Sequence, residues 1–209
     1  MNHLDPIRIL CVDDHPVFRE GIAMVLSQQR DMTLAATAAT GKDATAQFRQ
    51  HRPDVTLMDL RLPDMSGIDA MSAIRGEFPA ARIIVLTTSE GDVEIRRALT
   101  AGAYGYMLKS SPHDELVAVI RRVGAGYKYL PTGIATTLAE NIDADALSER
   151  ELQVLERVAE GDRNRDIAEV LSIAEETVKT HVKHIMEKLS AKDRTQAVAI
   201  AVRRGIIHF

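Results

Sequence analysis

IRILCVDD, residues 7–14, is an apolar run that stops on two adjacent aspartates, and the fold follows from the recurrence of that pattern. Short and rich in apolar residues, it reads as a buried strand. Similar runs fall at Met32–Ala38, Asp54–Met58, Arg82–Thr87 and Ala103–Leu108. Between them lie amphipathic stretches at about Val17–Gln28, Gly41–His51, Ser66–Phe78, Glu90–Ala101 and Pro112–Val123. Strands alternating with helices in this way predict an α/β domain, a parallel sheet covered on both faces. Met32–Ala38 has the weakest strand composition of the set, being mostly Ala and Thr.

After Gly124-Ala125-Gly126 the strand signals stop. Residues 127–146 mix Pro131, Gly133 and an acidic stretch around a short helical pattern, which predicts a linker with a helix near 131–141. From Leu147 onward every pattern is helical, at about 148–159, 163–171, 175–189 and 193–204. Ser148 followed by Glu151 is a capping box that starts the first of these, and Gly161 stands where a left-handed terminating residue is wanted. The expected organisation is residues 1–126, a linker 127–146, and a four-helix domain 147–209.

The composition supports two small cores. Of 209 residues 45% are hydrophobic and 27% charged, with 4% aromatic and no Trp, so the cores must be aliphatic. The lone Cys11 excludes an internal disulfide or a cysteine zinc cage and reads as a buried packing residue. Neither a signal peptide nor an apolar run near the ~18 residues of a membrane span is visible, so a cytoplasmic protein is expected. Net charge is −4, yet Lys179, Lys183, Lys188, Lys192, Arg194, Arg203 and Arg204 outnumber the acids between 175 and 204. That asymmetry hints at a nucleic-acid-binding end.

In an open parallel sheet, chemistry collects at the carboxyl ends of the strands. Those ends here are Asp13-Asp14, Asp59, Thr87-Thr88 and the approach to Lys109. Clustered carboxylates repel unless a cation neutralises them, and Mg²⁺ binds through carboxylates together with water and phosphate oxygens. An aspartate so placed can attack phosphorus, while Lys109 and the Thr87 hydroxyl stabilise a transferred phosphoryl group. Taken singly, Asp13 and Asp14 could cap a helix and Asp59 could be a turn residue. A phosphatase or phosphomutase would also use aspartates and Mg²⁺, but usually through an Asp-x-Asp motif, which this strand end lacks.

In the helical half, Leu152, Leu155 and Val158 share one face, Ile167, Ala168 and Leu171 the next, and Val178, Val182, Ile185 and Leu189 a third. Lys179, Thr180, Lys183 and His184 lie off the apolar stripe. A short helix, a tight turn and a longer helix with exposed Lys and Thr is how a major groove is read. A solvated helix face is the plain alternative.

Residues 7–125 resemble the receiver domain of two-component response regulators, through VDDHP (12–16), MDLRLPDMSGID (58–69), VLTTS (85–89) and GYMLK (105–109). Residues 147–207 resemble the LuxR-type helix-turn-helix of the NarL/FixJ group, through Leu147, Ser148, Glu151, Gly161, Asn164, Ile167, Thr177, Val178, Lys179, His181 and Arg194 among others. The resemblance implies a CheY-like (βα)5 doubly wound receiver followed by an all-α DNA-binding domain. It implies that Asp59 accepts a phosphoryl group from a sensor histidine kinase, with Mg²⁺ held by Asp13, Asp14, Asp59 and the Arg61 carbonyl. Thr87, Tyr106 and Lys109 become switch and phosphate-contact positions, and Arg61 and Ser89 flank the path of hydrolytic water.

For the helical domain it implies DNA contacts from Thr177, Lys179, Thr180, Lys183 and His184, and an internal ion pair between Glu151 and Arg194. His181 is expected to pack or to meet a phosphate. Dimerisation through a last helix exposing Gln196, Val198, Ala199 and Val202 would put the protein on double-stranded DNA with an inverted repeat. No turnover of a free substrate is implied. Two departures stand out: Ser110 follows Lys109 where many receivers have proline, so a cis bond is not expected there. Ala174 replaces the family's serine N-cap, which puts the start of the recognition helix in question.

Overall fold

The computed structural model describes residues 5–88, 91–140 and 147–207. The chain divides into two compact units, the first built mainly from residues up to 135 and the second from residues after it.

The first unit has five strands, β1 (Ile7–Val12), β2 (Met32–Ala38), β3 (Val55–Asp59), β4 (Ile83–Thr87) and β5 (Gly105–Leu108). They form one parallel sheet in the order β2-β1-β3-β4-β5. Every residue of β3 and β4 is buried, as strands covered on both faces require. The intervening helices are α1 (Pro16–Ser27), α2 (Gly41–His51), α3 (Gly67–Glu77), α4 (Asp92–Thr100) and α5 (His113–Gly124). Local chemistry starts two of them: Thr40 accepts from Asp43 N–H before α2, and Ser66 accepts from Ile68 N–H before α3. The covered parallel sheet expected from the alternation, and the doubly wound order implied by the resemblance, are the ones found.

Boundaries shift where backbone bonds are already committed. Ala103 N–H donates to Ala98 C=O, closing α4 behind the left-handed Gly102, so β5 starts two residues later than its apolar run. Met32–Ala38 is a strand despite its Ala and Thr, because tertiary pairing along β1 overrides weak propensity. Residues just past α5 are tied to the sheet edge: Tyr129 N–H donates to Tyr104 C=O and Tyr106 N–H to Tyr129 C=O. Such pairing covers part of an otherwise open edge strand. The Tyr129 hydroxyl also donates to Glu115, and that bond, with burial, pushes its pKa up to about 12.

The core beside β1, β3 and β4 is aliphatic, with Ile9, Leu57, Ile84, Met107 and Ile120 sealed from solvent. Cys11 sits in it, 1% exposed, and desolvation raises its thiol pKa to about 12. It is a packing residue, inert as a nucleophile near neutral pH. Among the described residues there is no cis peptide bond, so the Lys109–Ser110 link is trans.

Helix α6 (Thr132–Glu140) follows, and the second unit carries α7 (Glu149–Ala159), α8 (Asn164–Leu171), α9 (Glu175–Lys188) and α10 (Arg194–Arg203). Ser148 and Glu151 form the expected reciprocal capping box, and Gly161 has the left-handed φ of 92°. The three predicted apolar faces meet in one core, joined by Val154 from α7 and Ala197 and Ala201 from α10. Helix α9 begins at Glu175 with Ala174 as N-cap and no side-chain cap bond. Glu175 and Glu176 in its first turn complement the helix dipole instead. No described helix is long and apolar enough to cross a membrane.

Two sequence expectations need correction. Glu151 does not pair with Arg194: Lys188 of α9 takes it at 2.8 Å, while Arg194 donates to the Asp162 carbonyl. The partly exposed Lys188 side chain reaches back from the end of α9 to the buried carboxylate of the capping box, and Arg194 meets the carbonyl at the α7–α8 turn instead. Val198, expected exposed, is half-buried against the core. Gln196, Ala199 and Val202 are exposed.

Candidate functional site

The strand order reverses between β1 and β3, and the crevice at their carboxyl ends is where such sheets bind ligands. Register delivers the acids there. Val12 pairs with Met58, so Asp13 and Asp59 follow side by side. Asp59 in turn is level with Leu86, and Thr87 with Leu108, which puts Thr87 and Lys109 one step along the neighbouring strands.

Asp13 and Asp59 are 1% and 3% exposed. The Lys109 ammonium lies 2.6 Å from Asp13 Oδ2 and 2.7 Å from Asp59 Oδ2, bridging them. Burial pushes the Asp59 pKa up, and this outweighs the hydrogen bond and charge of Lys109, which act in the opposite sense. Burial pulls Lys109 down, but its bonds to Asp13 and Asp59 leave it above its ordinary value, a firmly held cation. The Lys109 Nζ also stands 4.9 Å from the centre of the Phe18 ring on α1.

Asp14 is more open, at 38% side-chain exposure. Its neighbour His15, to which the sequence reading assigned no role, turns Nδ1 to within 2.6 Å of Asp14 and 3.1 Å of Asp13. Ligand atoms of Asp13, Asp14, His15 and Asp59 all lie within 4.8 Å of one another, so the cluster could hold a metal ion. The donor set fits a hard cation: buried Asp13 Oδ2 takes no hydrogen bond beyond its ion pair with Lys109. The only hint of His15 was its place in VDDHP. It is the N-cap residue of α1, and its N–H donates to Asp13 Oδ1, which turns the ring back over the acids.

The loop after β3 is shaped by Asp59 itself. Arg61 N–H donates to Asp59 Oδ1 at 3.3 Å, and Gly67 N–H donates to Leu60 C=O. A Cβ on Gly67 would lie 1.9 Å from the Asp59 carbonyl oxygen, so only glycine permits this approach. Asp64 further ties the loop to the start of α2 through the Gly41 and Lys42 N–H groups. Thr87 and Tyr106 are both buried, Tyr106 completely. Ser89 lies outside the described residues.

On the second unit, Thr177, Lys179, Thr180, Lys183 and His184 are all exposed on α9, while Val178 and Ile185 face the core. His181 is half-buried. Lys179 lies 3.0 Å from Glu176 and 3.8 Å from Glu175, and Lys183 lies 3.8 Å from Glu187. The tight turn before α9 is made by Ser172 in the left-handed region (φ 53°) and by Ile173 N–H donating to Ala168 C=O.

Residues 9–121 match the response regulator receiver domain family, and residues 145–201 match the luxR family of bacterial regulatory proteins. The chain is 41% identical to the uncharacterized transcriptional regulatory protein YxjL of Bacillus subtilis (strain 168), over 97% of this chain and 98% of that one. It resembles the crystal structure of the response regulator ChrA of a heme-sensing two-component system, at 33% identity and TM-score 0.59, covering 98% of this chain and 100% of that one. A structure of two RcsB dimers bound to two parallel DNAs aligns with TM-score 0.70 at 25% identity, over 95% and 99% of the two chains.

Proposed function

The chain belongs to the response regulators that join a receiver domain to a LuxR-family domain, and from that premise we propose that phosphorylation of Asp59 controls its binding to DNA. The observation that carries this reading is the bridge of Lys109 between two buried carboxylates at a topological switch point. That arrangement sets one nucleophilic carboxylate beside a fixed positive charge.

In the proposed step an Asp59 carboxylate oxygen attacks the phosphorus of a phosphohistidine on a sensor histidine kinase. The P–N bond breaks, an acyl phosphate forms, and the departing imidazole takes up a proton. Asp13, Asp14, Asp59 and the Arg61 carbonyl would hold Mg²⁺. That ion supplies charge neutralisation for the phosphoryl oxygens. Lys109 holds one of those oxygens by charge, and the Thr87 hydroxyl donates to another.

The new group brings about −1.5 to −2 charges and three strong acceptors. Thr87 moving toward it changes the space available to Tyr106, and packing around β4 and β5 shifts with it. Residues 1–126 would form the receiver, 127–146 the linker and 147–209 the DNA-binding domain. Thr177, Lys179, Thr180, Lys183 and His184 would face a major groove of double-stranded DNA, in a homodimer on an inverted repeat, in the cytoplasm. Apparent affinity for DNA then scales with the fraction of the chain in the competent state. The RcsB dimers seen on DNA support this reading.

The test is DNA binding and oligomeric state with and without a small phosphodonor plus Mg²⁺, for wild type and Asp59→Ala. A donor-dependent gain in wild type alone is expected. Equal binding by both proteins, unmoved by donor, would refute the switch.

A further inference from the structure

Residues 147–207 carry eleven acidic and eleven basic side chains, an even balance for a unit that meets a polyanion. The acids are not confined to its far side. Glu176, Thr180, Lys183 and Glu187 stand at helical intervals of four, three and four along α9, diametrically opposite the buried Val178 and Ile185. This is the outermost ridge of the helix. Glu176, at 81% side-chain exposure, is its leading member, in the first helical turn. Glu175, one residue earlier, projects to the flank.

The N-terminal residues of a recognition helix are those that reach base edges. A bare carboxylate there is repelled by the phosphates on both sides of the groove. Its one favourable partner in the groove is an N–H donor, and the major-groove donors are the exocyclic amines of cytosine and adenine. Lys179 stands on the flank of the same turn, 3.0 Å from Glu176 Oε2. An ammonium in that place screens the carboxylate from the phosphates and fixes its direction.

We infer that Glu176 is a specificity-determining residue whose carboxylate accepts from an exocyclic base amine in the major groove, with Lys179 as its positioning residue. The inference rests on the DNA-binding reading above. Lys179, which faces the groove in that reading, then also acts there through Glu176. That role for Glu176 also explains a neutral domain: the acid weakens binding to DNA at large and so widens the gap between right and wrong sequences.

The experiment is selection from a random duplex pool by the full-length chain, treated with phosphodonor and Mg²⁺, for wild type, Glu176→Ala, Glu176→Gln and Lys179→Met, with Glu156→Gln, exposed on α7, as a control off the recognition helix. Wild type is expected to enrich cytosine or adenine at one position per half-site. Glu176→Ala should equalise the bases there, losing about 5- to 100-fold discrimination, while binding random DNA more tightly. Glu176→Gln should favour adenine, whose N6/N7 edge suits an amide. Lys179→Met should blur the same position, and Glu156→Gln should leave the profile unchanged. The inference fails if Glu176→Ala keeps the wild-type profile or weakens all sequences equally. Uniform weakening by Lys179→Met, with a salt slope reduced by about one, would mark Lys179 as a phosphate contact and overturn its positioning role. A wild-type chain that enriches nothing sinks the DNA-binding reading itself, an outcome distinct from either.

Discussion

Replacing Lys109 by methionine removes the cation between Asp13 and Asp59 while keeping most of the side-chain volume. Both carboxylates are almost sealed from water, and Lys109 is itself only 13% exposed, so screening by solvent is slight. Breaking a buried pair by deleting one partner costs about 3–5 kcal/mol. The penalty has a ceiling, because one carboxyl can take up a proton instead. Forcing an aspartate of ordinary pKa near 3.9 to stay protonated at pH 7 costs about 4 kcal/mol. The expected loss is therefore about 3–4 kcal/mol, which for a unit of this size lowers Tm by about 10–15 °C. The chain offers a clean probe: it has no Trp, and its four tyrosines, Tyr104, Tyr106, Tyr127 and Tyr129, all belong to the first unit. Tyrosine fluorescence melts in EDTA at pH 7 thus report on that unit alone. Adding Mg²⁺ should recover part of the loss, since a divalent cation can replace the ammonium between the acids. A Lys109→Met melt within about 2 °C of wild type in EDTA, below what 1 kcal/mol would produce, would refute the view that Lys109 neutralises this site.

Two further outcomes are expected. Gly67→Ala sets a methyl 1.9 Å from the Asp59 carbonyl and 2.9 Å from Leu60 Cα, both backbone atoms, so the loop has to move; stability should fall by about 1–3 kcal/mol and phosphorylation by a small donor should slow, and unchanged melts with unchanged labelling would contradict the close approach. Burial raises the Glu151 pKa, but bonds from Lys188 and Ser148 outweigh it and hold the carboxyl below its ordinary 4.5. A depressed carboxyl stabilises the fold above its unfolded pKa and loses that contribution as pH falls through the folded value. Glu151→Gln should therefore cost about 1.5–3 kcal/mol at pH 7, with the gap to wild type closing below the ordinary glutamate range; far-UV circular dichroism melts across that range decide it, and a gap that persists in acid would assign the loss to packing.

The division between what was legible and what was not runs through particular residues. Asp13, Asp14, Asp59, Thr87 and Lys109 were readable because strand ends are visible in a sequence: an apolar run stops, and the next polar residue stands at the edge of the sheet. The buried and exposed faces of α9 were readable because helical periodicity separates Val178 and Ile185 from Lys179 and Lys183 without knowledge of the partner helices; that the exposed face meets DNA was implied by the family resemblance. Glycine at position 161 and the Ser148–Glu151 box are local devices, set by a few consecutive residues, and both formed as expected.

What the chain alone left open were choices among partners of the same charge. The resemblance implied Arg194 as the partner of Glu151, and only the packing of α7 on α9 selected Lys188. His15 drew no role from the sequence, and it is the backbone at the start of α1 that turns its ring over the carboxylates. The approach of Gly67 to Asp59 likewise depends on how tightly one loop closes. Periodicity and punctuation act between neighbours along the chain, so sequence carries them in full. Which of several like charges meets a buried acid is decided by distances of a few ångströms across the core, and those exist only once the helices and strands have packed.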